Sequence, residues 1–174
     1  CMSVPLGESY WEQYGGRKNS SCPRSEDWVT TCTNPLSKNQ FDDPLYDSMK
    51  WAYQQIRVEP VWEAGFTGKG VHVRVNDDGV DVDHAEFMGR VDKFNSCYEY
   101  RPRDPDNDVH GTACASMIAG NSNNNECAVG IAPEAKISGC VGPVDLLNAP
   151  QILLTKMETV DISSNSWGPL VCQT

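Results

Sequence analysis

The stretch GKGVHVRVNDDG, residues 68–79, sets Val71, Val73 and Val75 at alternate positions and then turns on Asp77-Asp78-Gly79. A period-two run of β-branched residues ended by turn formers predicts a strand with a carboxylate at its carboxyl end. Working outward, HGTACASMIAG, residues 110–120, predicts a helix headed by His110, with small residues that permit close packing. KISGCVG, residues 136–142, predicts a second short strand, and DISSNSWGP, residues 161–169, a third. Between them APQILLTKMETV, residues 149–160, predicts a helix with Ile152, Leu153 and Met157 on one side. Strands alternating with helices imply βαβ units, hence an α/β fold with a parallel sheet flanked by helices. Ligands of such sheets bind beyond the carboxyl ends of the strands, where Asp77 and Ser166-Trp167-Gly168 lie.

Upstream, SMKWAYQQI, residues 48–56, predicts a short helix, with Trp51, Ile56, Val61 and Trp62 as apolar anchors. Residues 1–40 are rich in Ser, Asn, Thr, Gly and Pro and follow neither period, so they are expected to form an irregular extension, stapled by Cys22 and Cys32. The globular part therefore starts near residue 41.

The chain has 174 residues, 39% apolar and 22% charged, a single-domain globular composition. Its net charge of −10 argues against nucleic-acid partners and anionic membranes, which require a basic face. A cationic substrate or a divalent metal suits it better. Eight cysteines suggest disulfides and an oxidising compartment, a secreted or secretory-lumen setting that the sequon Asn19-Ser20-Ser21 fits. No apolar run approaches the roughly 18 residues of a membrane span.

Two local patterns fail on inspection. GFTGKGVH, residues 65–72, has two residues where a phosphate-cradling loop needs four before Gly-Lys, and it precedes a strand instead of opening a helix. Asp104, Asp106 and Asp108 alternate like an EF-hand loop, yet no glycine follows and Ala115 stands where Glu is required. Oxygen-rich cation binding in another geometry stays open.

The informative pair is Asp77 and His110. A carboxylate that accepts the Nδ1–H of an imidazole fixes its tautomer and stabilises the imidazolium, making the other ring nitrogen a directed base. Taken alone, a strand-end aspartate is a turn former and a lone histidine a structural residue, so spacing by itself leaves both readings open. Cys114 lies one helical turn after His110, on the same face, where a thiol nucleophile is conceivable. His84 is read as structural and His72 is assigned nothing.

Taken together, VRVNDDGVDVDHAEF, HGTACASMIAG, CAVGIAPEAKI and SNSWGP resemble, in order and spacing, the subtilisin-like serine proteases, and NNNECAVGIA and SWGP resemble the kexin/furin branch in particular. The resemblance runs from about Asp43 to Pro169. It implies a subtilisin-like three-layer fold, incomplete in this chain, with residues 41–174 as the N-terminal half of a catalytic domain. It matches Asp77 and His110 to the first two members of an Asp-His-Ser triad, whose chain order is that of this family. Asp78 matches a carboxylate that faces a basic substrate residue, and Ser166, Trp167, Gly168 and Pro169 match the strand that pairs with the substrate backbone. The same match makes Cys114 a buried thiol near the cleft and gives Cys127 a disulfide partner further along than this chain extends.

Calcium is implied as well. Asp43 and Glu86, with Asn124 and the backbone of Asn121, Glu126 and Ala128, match one family site, while Glu99, Asp104 and Asp106 resemble a second. The family's oxyanion-hole asparagine and Gly-Thr-Ser nucleophile motif are expected beyond Thr174, so the missing C-terminal half is itself an implied partner. The implied function is a calcium-dependent serine endopeptidase acting on polypeptides with basic residues. The alternative is a catalytically inactive subtilase-like module that binds basic peptides or calcium. CVGPVD, residues 140–145, departs from the branch's usual sequence, which leaves acidic pockets beyond Asp78 without support.

Overall fold

The computed structural model describes residues 41–142 and 149–168; the Cys22–Cys32 staple, Cys172 and Pro169 lie outside them. Among the described residues two helices come first, α1 (Tyr46–Ile56) and α2 (Val58–Glu63), followed by β1 (His72–Asp77). A single 3-10 turn, Ala85–Phe87, precedes α3 (His110–Ala119), β2 (Lys136–Val141), α4 (Ala149–Leu154), a second 3-10 turn (Met157–Thr159) and β3 (Ile162–Ser164). Among the described residues the sheet has the order β2-β1-β3, with both pairings parallel.

All six residues of β1 are buried, the polar ones between the valines included. The reason is the parallel topology, whose crossover helices cover both sides of the sheet. Val73 and Val75 face α3 in a core with Val80, Val82, Phe87, Ala115, Ala119, Ala135 and Ile137. Side chains alternate along a strand, so Arg74 points to the opposite layer and is 0% exposed there. Its guanidinium donates to the carbonyls of Leu153 (2.9 Å) and Thr155 at the end of α4. Helix ends leave carbonyls without partners, and a cation is the suitable group to take them. The helix foreseen over residues 149–160 therefore stops at Leu154; the chain reverses at Lys156, which has φ 48°, and resumes as a 3-10 turn. β3 is also shorter than foreseen, since only Ile162, Ser163 and Ser164 pair with β1.

A second cluster gathers Tyr46, Tyr53, Val58, Trp62 and Val129, with Phe41 and Met49 at its edge. Tyr53 donates its hydroxyl to the Val129 carbonyl at 2.6 Å, and the Trp62 indole donates to the Ile131 carbonyl at 2.8 Å. Of the four foreseen anchors only Trp62 is buried; Trp51, Ile56 and Val61 are exposed. The face of α1 that meets the core is defined by Tyr46 and Tyr53, seven residues apart, and Trp51 lies off it. Cys97 and Cys140 form a disulfide that ties the loop after the first 3-10 turn to β2.

Ile137 is fully buried at the centre of the α3-facing core. Ile137→Ala should cost about 2–5 kcal/mol through lost transfer energy and the cavity left behind, read as a lower midpoint in urea unfolding.

Candidate active site

β1 delivers Asp77 to the carboxyl edge of the sheet, and α3 delivers His110 as its first residue. The His110 Nδ1 and Asp77 Oδ1 are 2.7 Å apart. The Asp77 side chain is 6% exposed and that of His110 60% exposed, so a shielded carboxylate grips a ring whose far side meets solvent. With Nδ1 donating to the carboxylate, the neutral ring carries its lone pair on Nε2. The hydrogen bond to Asp77 raises the His110 pKa above its ordinary value, helped by the charge of Asp77 and, less, of Asp78, against a small opposing effect of burial.

Asp78 has a structural role that the sequence did not indicate, beside the substrate-facing one that the resemblance implies. Its Oδ2 accepts the backbone N–H of His110 at 3.0 Å, and its Oδ1 accepts that of Gly111 at 2.6 Å. Val109 supplies no side-chain cap, so this remote carboxylate satisfies two of the helix's orphan donors and complements the positive end of its dipole. A carboxylate has about four acceptor positions, so this fork does not exhaust Asp78. The approach is close enough to require glycine. A Cβ on Gly111 would lie 2.3 Å from the Gly79 carbonyl oxygen and 2.8 Å from Asp78 Oδ1. Gly79 itself has φ 125°, a left-handed conformation that side chains rarely adopt. No local sequence signal marks Asp78 as a cap, because the helix it caps begins thirty-odd residues later in the chain.

Cys114 is half-buried, less than foreseen. Its Sγ lies 3.8 Å from Nδ1 and 3.9 Å from Nε2 of His110. Near-equal distances mean that the sulfur is directed at neither ring nitrogen in preference to the other. Asp77, His110 and Cys114 bring ligand-type atoms within 4.8 Å of one another, although the Asp77–His110 bond already occupies Nδ1.

Ser166, Trp167 and Gly168 are exposed beyond β3. Trp167 reaches back to β1, donating its indole N–H to the Asn76 carbonyl at 2.7 Å. Gly142, just after β2, donates its N–H to the Asp77 carbonyl. A Cβ on Gly142 would sit 3.1 Å from the Asp77 carbonyl oxygen and 3.6 Å from the Trp167 Nε1, so Gly142 and Trp167 are close neighbours at the Asp77 end of β1.

The first cation set is brought together in part. Asp43 and Glu86 are buried, and Asp43 Oδ1, Glu86 Oε1 and Glu86 Oε2 have no hydrogen-bond partner. Asp43 Oδ2 accepts the Asn123 N–H at 2.9 Å, which fastens the 121–128 loop to it. Burial raises the Glu86 pKa; the nearby Cys127 thiol and Ala128 N–H oppose the rise and the like charge of Asp43 adds to it. Within the loop Asn124 Oδ1 accepts the Glu126 N–H, and Asn123, Asn125 and Cys127 all have positive φ. Asn121 donates its N–H to the Glu86 carbonyl, and its side-chain oxygen takes Arg90 Nε at 2.8 Å. Orphaned buried carboxylate oxygens beside a strained, Asn-rich loop are the donor set a hard divalent cation would satisfy.

The second cation set is not gathered. Among the described residues Glu99, Asp104 and Asp106 do not converge on a common point. Glu99 pairs with Arg103, and Asp104 accepts the Asp106 N–H and the Asn107 amide. An ion pair engages the Glu99 carboxylate and an Asx turn the Asp104 carboxylate without a cation.

This parallel α/β sheet, with a carboxylate–imidazole pair at its carboxyl edge, has the framework of a subtilisin-like domain. The chain belongs to the Subtilase family, whose sequence profile matches residues 68–174. It is 34% identical over 149 residues to proprotein convertase subtilisin/kexin type 6 of Rattus norvegicus, an alignment covering 74% of this chain and 16% of that protein. Against type 5 of Branchiostoma californiense it is 31% identical over 190 residues, covering 91% of the chain and 10% of that relative. The chain thus spans less than a fifth of the length of these relatives. The serine protease of Aeromonas sobria superposes with a TM-score of 0.60 at 20% identity over 90% of this chain and 29% of that one, a likeness of fold.

The raised pKa has a direct test. Its linkage sign is that of a raised base: the charged pair's stabilisation is full below about pH 6.5 and fades as pH rises through the higher folded value. In an NMR titration the His110 ring should titrate above about 6.5, and Asp77→Asn should lower its midpoint.

Proposed function

We propose that this chain is the base-bearing part of a serine endopeptidase, with Asp77 and His110 as catalytic residues. The single observation that carries the reading is the 2.7 Å Asp77–His110 contact at the sheet edge of a Subtilase-family chain. His110 Nε2 accepts the proton of a serine hydroxyl, supplied by polypeptide outside the described residues, as that oxygen attacks a peptide carbonyl. The same nitrogen then returns the proton to the leaving amine. Asp77 keeps the ring in the Nδ1–H tautomer and stabilises the imidazolium, while Asp78 holds the ring's helix in place. An extended peptide lies along residues 165–168, adding to the sheet edge through main-chain hydrogen bonds. The net charge of −10 and the carboxylate of Asp78 favour basic residues in that peptide.

Calcium fits the Asp43–Glu86 pocket, where it would neutralise two buried carboxylates and hold the 121–128 loop against the end of α3. Asp43, Glu86 and Asn124 supply side-chain oxygens there, and Asn121, Glu126 and Ala128 supply main-chain ones. The Cys97–Cys140 disulfide supports a secreted or secretory-lumen location. No described helix is long and apolar enough to cross a membrane.

The whole protein should cleave a fluorogenic peptide with arginine before the scissile bond. Asp77→Asn should lower kcat by about 10⁴-fold, the size of that change in other serine proteases. Binding of the peptide without cleavage by the whole wild-type protein would overturn the catalytic reading.

Calcium should raise the melting temperature and a chelator should lower it. At about 100 times Kd the gain is about 2.7 kcal/mol. Glu86→Gln should abolish the calcium-dependent part of the shift, measured by scanning calorimetry with and without the ion.

A further inference from the structure

Past the end of β3, among the described residues, one residue makes the hydrogen-bonded ties to β1. Main-chain pairing of β3 stops at Val75↔Ser164. Beyond it, among the described residues, no main-chain hydrogen bond engages the backbone of residues 165–168. What holds that segment is Asn76, which is 0% exposed. Its side-chain Nδ2 donates to Ser163 Oγ at 2.9 Å and to Asn165 Oδ1 at 2.8 Å. Its carbonyl accepts the Trp167 indole N–H at 2.7 Å. Asn165 in turn donates its amide to the Ser163 carbonyl at 3.1 Å, which closes the network. The Asn76 Oδ1 is left without a partner.

A buried amide with one unpartnered atom demands a reason, since such groups are rare in native interiors. An apolar side chain would fill the space beside β3 without that cost. What it would lack is a pair of N–H groups that fix the side chains of residues 163 and 165 while leaving the neighbouring main chain unbonded. Asn76 also adjoins Asp77, so the same residue sets the spacing between the carboxylate and the segment.

We propose that Asn76 is a positioning residue for an extended peptide, acting through Ser163, Asn165 and Trp167 to hold residues 165–168 in register with Asp77 and with their backbone open for pairing. The proposal rests on the peptidase reading for its substrate, an extended polypeptide. Asn76 touches neither the peptide nor the reacting atoms. Its effect therefore depends on how far the substrate reaches along the segment, which a general loss of stability would not reproduce.

The test compares two substrates of the whole protein: a tetrapeptide amide ending in arginine, which spans residues 165–168, and a single-residue arginine ester, which does not. Asn76→Leu removes both donors. Asn165→Ala is the milder change, because it leaves the buried amide in place and removes one acceptor at the exposed end. Either variant should raise KM for the tetrapeptide about tenfold, the loss of roughly one hydrogen bond's worth of register, while changing KM for the ester less than about twofold. Hydrogen exchange at the Trp167 indole, read by NMR, should become at least about fivefold faster in both variants. Equal losses on both substrates, or an unchanged tetrapeptide KM with the indole still protected, would overturn the proposal. If the wild-type protein turns over neither substrate, the peptidase reading falls by itself; indole exchange then decides, supporting Asn76 if it speeds and rejecting it if it does not.

Discussion

Everything at the sheet edge depends on one approach, that of the start of α3 to the end of β1. Two backbone N–H groups of the helix enter the fork of the Asp78 carboxylate, and the glycines at 79 and 111 let the two backbones come that near. Once they are locked, the position of the imidazole is set by main chain on one side and by the adjacent Asp77 on the other. The histidine needs little side-chain ordering of its own. Two consecutive carboxylates thus divide the labour, one orienting the ring and the other anchoring its helix, and both face the same positive helix terminus.

That division explains how the surroundings are built. β1 must be rigid, and its burial on both faces makes it so, with valines against α3 on one side and Arg74 against α4 on the other. At its far end α3 runs into the Asn-rich loop, which Arg90 gathers by donating to Asn121 and to the carbonyls of Glu86, Ala119 and Ala135. The helix that carries His110 is therefore held at both termini by charged side chains from other parts of the fold.

Much of the framework was legible because local and global preferences agree there. β1, β2 and α3 lie where period-two alternation, turn residues and the His-Gly-Thr start placed them. Asp77 and His110 were legible through motif order, since no spacing rule alone joins residues thirty-three apart. The parts that were not legible are those in which a side chain acts on distant main chain. Nothing in the sequence singled out Arg74, and only the layer formed by α4 shows why it is buried. Trp51 read as an anchor because of its size, yet helix periodicity about Tyr46 and Tyr53 turns it outward. Asp78 gave no capping signal, and the ion pair and Asx turn that engage Glu99 and Asp104, which the family resemblance matched to a cation site with Asp106, are visible only in the fold.

The disulfide has a topological consequence. Cys97 and Cys140, 43 positions apart, close a covalent ring that contains α3, its histidine and the whole Asn-rich loop. A single backbone nick anywhere inside that ring leaves the two pieces fastened to each other. Such a molecule would migrate as one species until a reductant separated it, so damage to this part of the chain would be hidden from any mass or size measurement made under oxidising conditions except as the addition of one water.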